Sequence, residues 1–218
     1  MKTFLLNNGL SLVFLSFFAC SLSGQIYFGL KEYNTELIET LGSPVELVQY
    51  LFSGHFLQST FENWESEFLQ IALFVLFTIF FQQKGSSESK DFDREEEVDR
   101  QPSPERKGAP WPVRAGGWIL SIYRHSLMIA LTILFLISFA LHFYGSLKDE
   151  NGKLDRMGEP LIAATDYIMG SRFWFESLQN WQSEFLSIFA IMVLTIFLRQ
   201  QGSPQSKPVD APNMETGS

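Results

Sequence analysis

Apolar residues gather in four blocks along the chain, at roughly 10–28, 68–81, 127–144 and 185–198, and charged residues gather between them. A helix needs about 20 apolar residues to cross roughly 30 Å of hydrocarbon. The first and third blocks reach that length once their flanks are counted. The second and fourth hold 14 residues each, about 21 Å of helix at 1.5 Å per residue. Each can extend upstream through a tryptophan, Trp64 or Trp181, and downstream through a glutamine-rich exit. Tryptophan at the start of an apolar run acts as an aromatic anchor at the water–lipid boundary. Four such blocks in one chain leave too little polar surface to cover them in water, so the pattern predicts four transmembrane helices.

The blocks are also related to one another. Sliding the chain on itself by 117 residues lays residues 62–90, "ENWESEFLQIALFVLFTIFFQQKGSSESK", on residues 179–207, "QNWQSEFLSIFAIMVLTIFLRQQGSPQSK", with 15 of 29 positions identical, far above chance. The same offset pairs Leu10 with Leu127, Phe18 with Phe135, Ser21 with Ser138 and Tyr27 with Tyr144. It also pairs Leu30, Lys31 and Asn34 with Leu147, Lys148 and Asn151. The opening "MKTFLLNNGLSLVFLSFFAC" has a faint lipoprotein-signal character. Phe17 and Phe18 fit poorly before its cysteine, and the block's counterpart lies mid-chain where no signal peptide can be. The expected fold is therefore an all-α membrane protein with four transmembrane helices in two tandem helical-hairpin repeats, packed as a four-helix bundle. Each half crosses twice, so the halves enter from the same side as parallel repeats about an axis along the membrane normal.

Composition refines this picture. The first hairpin covers 1–83, a charged linker 84–116, the second hairpin 117–201 and a tail 202–218. Between 84 and 117 the chain mixes eight acids and seven bases with Pro, Gly and Ser, a composition that buries too little apolar surface to offset the entropy of ordering. Linker and tail are both expected to be disordered. Of the 16 Lys and Arg, 11 lie in the N-terminus, linker and tail and five in the loops inside the hairpins, which places both termini in the cytoplasm. The loop stretches "SPVELVQYLF" and "EPLIAATDYIM" each predict a short amphipathic helix on the outer face, ended by Gly54 and Gly170. A net charge of −8 argues against nucleic acid as a partner. The single cysteine, Cys20, rules out an intrachain disulfide and a cysteine-based metal cluster. Partners are expected to be the lipid bilayer, with self-association into a homo-oligomer left open.

Candidate chemistry is confined to one stripe. Helical spacing from Asn63 selects Glu67, Gln70 and Thr78, and from Asn180 it selects Glu184, Ser187 and Thr195. Small residues face them on the other helices: Gly9, Ser16, Cys20 and Ser23 on the first, Ser126, Ala130 and Ala140 on the third. Small faces allow close helix approach, with polar groups bonding across the contact. Glu67 and Glu184 have two readings. Acids in the first turns of a helix are stabilised by unpaired amides and the dipole, and Ser59 with Glu62 fits a capping box. Alternatively the helix draws both acids into the membrane, where ionisable groups mark ion or proton paths. The three histidines, His55, His125 and His142, have no metal-ligand spacing, and no phosphate loop or nucleophile elbow appears. No catalytic, cofactor-binding or metal residue is assigned, no cofactor is implied, and the expectation is a protein that is not an enzyme.

The stretches "YLFSGHFLQSTFENWESEFLQ", "QKGSSESK", "EEEVDR", "APWPVRAGG" and "FWFESLQNWQSEFL" resemble a family of bacterial integral membrane proteins catalogued as domain-of-unknown-function family 6766. The resemblance covers nearly the whole chain and implies a bacterial membrane protein with four helices, without implying an activity or site residues; the expected location is the bacterial inner membrane. Tyr33-Asn34-x-Glu36 fits that family's acidic outer loop, whereas the residues around Asn151 depart from it. The leading expectation is a non-enzymatic structural or interaction protein, with a small channel or transporter using Glu67 and Glu184 as the alternative. A membrane cytochrome is the weakest reading, because no facing helix supplies a second histidine.

Overall fold

A computed structural model describes residues 2–92, 94 and 96–217; Asp93 and Glu95 of the linker lie outside the described residues. Among those described the chain is all-helical, with nine α-helices: α1 (Lys2–Asn7), α2 (Gly9–Glu39), α3 (Leu47–Leu51), α4 (Gly54–Phe80), α5 (Trp111–Ala115), α6 (Gly117–Arg124), α7 (Ser126–Met157), α8 (Ala164–Met169) and α9 (Ser171–Phe197). Three of them, α2, α7 and α9, are long and apolar enough to cross a membrane. Helix α4 is as long as α9, but it is not in that set. Its apolar half is preceded by Glu62, Glu65, Glu67 and Gln70 within one continuous helix, and these dilute its apolar character. At 31 and 32 residues, α2 and α7 run to about 45–50 Å, well beyond a hydrocarbon core of roughly 30 Å. Their polar last turns therefore carry structure of their own. The short helices expected in the two loops are α3 and α8.

Packing divides the chain into two compact units, Met1–Phe61 with Ala140–Trp174, and Glu62–Phe139 with Phe175–Ser218. In the first unit, the loops leaving α2 and α7 are held by asparagines. The Asn34 amide donates to the Val45 carbonyl at 3.0 Å, and its oxygen accepts from the Val45 N–H at 2.8 Å. Asn151 makes the same pair of bonds to Ile162, at 3.0 and 2.8 Å. Each side chain thereby satisfies both backbone groups of an irregular residue that has no helix partner. Helix α4 begins with the Ser53 hydroxyl accepting the Phe56 N–H at 3.1 Å. Ser59, expected to cap a helix with Glu62, lies inside α4 instead and bonds back to the Phe56 carbonyl. The reason is length: the helix starts at Gly54, six residues earlier than a cap at Ser59 requires.

Two glycines set the closest backbone approach in this unit. A Cβ on Gly54 would stand 2.3 Å from the Asp149 amide nitrogen and 2.6 Å from the Gly145 carbonyl. One on Gly145 would stand 2.5 Å from the Gln58 nitrogen. The small faces expected to make such contacts do not: Ser16, Cys20 and Ser23 are exposed, and the two serines bond their own helix at Leu12 and Ala19. Within α3, Tyr50 is fully buried with its hydroxyl against Gly29 and without a hydrogen-bond partner. Tyr167, 117 residues on, instead shares a hydrogen bond with Ser146, the residue that stands where the first half has Gly29. Burial, and then the neighbouring Tyr33, push the Tyr50 phenol above its usual value. Charges cover this region. Lys153 bridges Glu36 at 3.0 Å and Asp149 at 2.8 Å, and Arg172 pairs with Glu150.

In the second unit the segments following α4 and α9 fold into matching turns. The Gln83 N–H donates to the Ser89 hydroxyl at 2.9 Å, and the Gln200 N–H donates to the Ser206 hydroxyl at 2.9 Å. The tail then lies on the linker through Lys207, which is 2% exposed. Its ammonium donates to the carbonyls of Gly85, Pro212, Asn213 and Glu215 at 2.5–3.4 Å. Composition points to disorder in both segments. The contacts that join their described residues are chiefly side-chain-to-backbone bonds.

Three expectations follow, measurable by unfolding in detergent. Gly54→Ala and Gly145→Ala should each destabilise by about 1–3 kcal/mol, because backbone and not a flexible side chain blocks the added methyl. Leu41→Gly should stabilise by about 0.5–1 kcal/mol. Leu41 is exposed at φ 61°, where an L-residue costs about 1–2 kcal/mol and glycine gives some of that gain back as lost chain entropy. Finally, Tyr50 keeps its proton in the fold at a pH where the unfolded phenol ionises. Stability should therefore fall as pH rises above about 10, and Tyr50→Phe should flatten that alkaline limb; an unchanged limb would refute the burial argument.

Candidate functional site

The polar stripe lies in the second unit, on α4 and α9, and the structure uses it unevenly. Gln70 is buried, and its amide donates to the Ser187 hydroxyl at 2.6 Å and to the Glu184 carbonyl at 2.7 Å. Gln70 and Ser187 are themselves 117 residues apart in sequence, so the two helices meet at corresponding positions. Glu67 and Glu184 lie within electrostatic reach of one another, with Glu67 exposed and Glu184 half-buried. These four residues are brought together as the spacing suggests.

The ends of the stripe are not. Asn63 is exposed, and its carbonyl accepts from Ser66 at 2.9 Å. Asn180 bonds the Glu176 carbonyl of its own helix, and its own carbonyl accepts from Ser183 at 2.8 Å. Thr78 bonds back to Phe74 and Val75. Thr195 is buried and meets the Ser86 hydroxyl of the turn after α4 at 3.3 Å. That contact ties α9 to the turn without joining a path through Glu67 and Glu184.

The acid that sequence spacing passes over is Glu65. It is 0% exposed, with Ser66 beside it at 2%, and its carboxylate accepts the Trp181 indole N–H at 2.8 Å. Trp181, expected as a lipid-boundary anchor, is half-buried and stacks edge-on to Phe135 at 6.4 Å between ring centres. Its counterpart Trp64 is also half-buried. A sequence signal did exist. Tryptophan is a donor only, and one placed opposite an acid-rich helix start needs an acceptor. Glu65 sits about 200° round the helix from Asn63, off the stripe, so the periodicity that selected Glu67 rejected it. The second half writes Gln182 at the matching position, and the acid is peculiar to α4.

Among the described residues, all-helical structure with three helices long and apolar enough to cross a membrane defines the class of a polytopic membrane protein. The chain belongs to the family described as domain of unknown function DUF6766, whose match covers residues 1–218. No curated protein and no solved structure matches it.

The Glu65–Trp181 bond can be tested by a double-mutant cycle. Trp181→Phe should cost about 1–3 kcal/mol, the penalty of leaving a buried acceptor short of a donor. Adding Glu65→Leu should cost less than the sum of the single changes, with a coupling above about 0.5 kcal/mol. Additive costs would show that the two side chains do not act together.

Proposed function

We propose that the protein is a non-enzymatic component of the bacterial inner membrane, with a structural or interaction role, in which two tandem hairpins cross four times and both termini are cytoplasmic. On this reading α4 is the remaining crossing, and its polar first half is tolerated because it lies against α9. One observation carries the reading. The Gln70 amide, buried at the centre of the stripe, is committed to Ser187 and to the Glu184 backbone, so the centre of the stripe is a fastener between helices. A conduction path needs groups that can exchange partners with a passing ion or proton. Gln70→Leu should therefore lower thermal stability while leaving ion leakage through reconstituted liposomes at the level of protein-free liposomes. The topology is tested separately by reporter fusions at both termini and at the linker, all of which should read cytoplasmic.

The second reading is favoured by the proximity of Glu67 and Glu184, two acids from related positions. It predicts proton or cation flux that disappears in the Glu67→Gln, Glu184→Gln double variant. Carbodiimide labelling across pH, read by mass spectrometry on both peptides, separates the two. Labelling of both near neutral pH supports the path. Absence of labelling above about pH 6 supports ordinary ionised acids, since a free Glu titrates near 4.3.

A further inference from the structure

The apolar pattern marks no element immediately before α7 and places the start of its crossing near residue 127. The structure places two short helices there, α5 and α6, which pack on one another. Two glycines with positive φ, Gly116 at 67° and Gly117 at 56°, join them, a conformation that residues with a Cβ rarely adopt. Only His125, with ψ near 9°, separates α6 from α7. The turn between a helix of this kind and a spanning helix falls where water meets lipid.

Helix α6, "GWILSIYR", is sharply two-faced. At 100° per residue, Trp118, Ile122, Ile119 and Tyr123 fall on one arc, while Ser121, Arg124 and Gly117 fall on the other. The apolar arc is left uncovered: Trp118 is 74% exposed and Ile122 52%, and Trp111 on α5 is 64% exposed. Charge marks what covers it. Residues 106–125 hold Arg106, Lys107, Arg114 and Arg124, and no acid occurs between Glu105 and Asp149, in a chain whose net charge is −8. Arg114 and Arg124 each stand in the last turn of their helix, where the dipole favours a cation. Exposed Trp and Ile on one side with Arg on the other is the pattern of a helix lying in the bilayer surface. Basic residues flanking a spanning helix attract anionic headgroups, at about 1 kcal/mol for each Lys or Arg near the surface.

We infer that α5 and α6 form a collar lying flat on the bilayer at the entry of α7, with Trp118 and Ile122 inserted among acyl chains and Arg106, Lys107, Arg114 and Arg124 binding anionic phospholipid headgroups. The collar fixes where α7 enters the membrane and makes its seating responsive to lipid charge. It rests on α7 spanning the bilayer, so the experiment carries its own control for that.

Spin labels placed singly at Ser121, Ile122 and Leu134 in a Cys20→Ser background are read in nanodiscs for collision with oxygen, which partitions into lipid, and with a water-soluble nickel chelate. The lipid is phosphatidylcholine alone or mixed with phosphatidylglycerol. Leu134 should favour oxygen in both lipids; a nickel-accessible Leu134 would remove the spanning reading, and the collar with it. Ile122 should favour oxygen severalfold and Ser121 should favour the chelate, with Ile122 moving deeper when phosphatidylglycerol is added. The quadruple variant Arg106→Gln, Lys107→Gln, Arg114→Gln, Arg124→Gln should lose that response to lipid charge and keep the signal at Leu134. Equal nickel access at 121 and 122 would overturn the collar as a solvated loop. Equal oxygen access at both would overturn it as a continuation of α7, and shielding of both from both reagents would overturn it as a protein contact.

Discussion

Every peptide group that enters hydrocarbon has to find its hydrogen-bond partner within the chain, because lipid offers none. The architecture follows from that requirement. Inside the apolar blocks the helix meets it locally, residue by residue, and the long α2, α7 and α9 are the result. The difficulty moves to the places where the helix stops, and side chains that bond backbone are concentrated there. Asn34 closes on Val45, Asn151 on Ile162, Ser89 on Gln83, Ser206 on Gln200, and Lys207 on four carbonyls at once. None of these contacts is a hydrophobic core in the ordinary sense. They are a set of polar clasps that let the chain leave one helix and enter the next without exposing unpaired backbone.

Several clasps recur 117 residues apart, and the differences between them are as informative as the likeness. Tyr50 and Tyr167 occupy corresponding positions under their loops. Where the second half supplies Ser146 as a hydroxyl partner, the first half supplies Gly29, and the phenol packs against backbone instead. A Cβ at Gly29 would meet the Tyr50 hydroxyl, so the first half cannot adopt the second half's solution by a substitution at that position alone. The Glu65 carboxylate and Gln182 amide diverge in the same way. Local divergence of this kind keeps each half's geometry while freeing individual positions to acquire a separate role.

Legibility in the sequence tracked the range of the interaction. Helices α2, α7 and α9 were legible because a long apolar run and a helix are the same statement in lipid. Helix α4 was harder, since Glu62, Glu65, Glu67 and Gln70 interrupt the run, and its true start at Gly54 was hidden by a serine that looked like a cap at position 59. The contact of Gln70 with Ser187 was foreshadowed by spacing. Glu65 was not, because a helical wheel drawn for one face says nothing about a tryptophan arriving from another helix. The close approach of Gly54 to Gly145 was missed for a related reason. Small residues inside the apolar blocks are where membrane helices are expected to touch, and the touching glycines stand at the polar ends. The linker and tail read as too polar to bury a core, and among their described residues the joining contact is polar, a Lys207 cation ringed by backbone carbonyls.

A single polar contact between two helices is a modest source of stability. A typical intramolecular hydrogen bond contributes about 0.5–1.5 kcal/mol net, because the separated groups find other partners. The Gln70–Ser187 contact is therefore better understood as fixing which residues of α4 and α9 meet than as holding them together. Apolar surfaces slide past one another at little cost, and a helix pair with only Phe, Leu and Ile at its crossing has many registers of similar energy. One buried amide with two acceptors on the facing helix removes that degeneracy, since any shift leaves it unpaired at a cost of about 1–3 kcal/mol. The same argument bears on the two acids beside it. Glu67 and Glu184 are positioned by a register they do not themselves set, so the polar crossing can be essential to the geometry of this region whether or not those acids ever carry a proton.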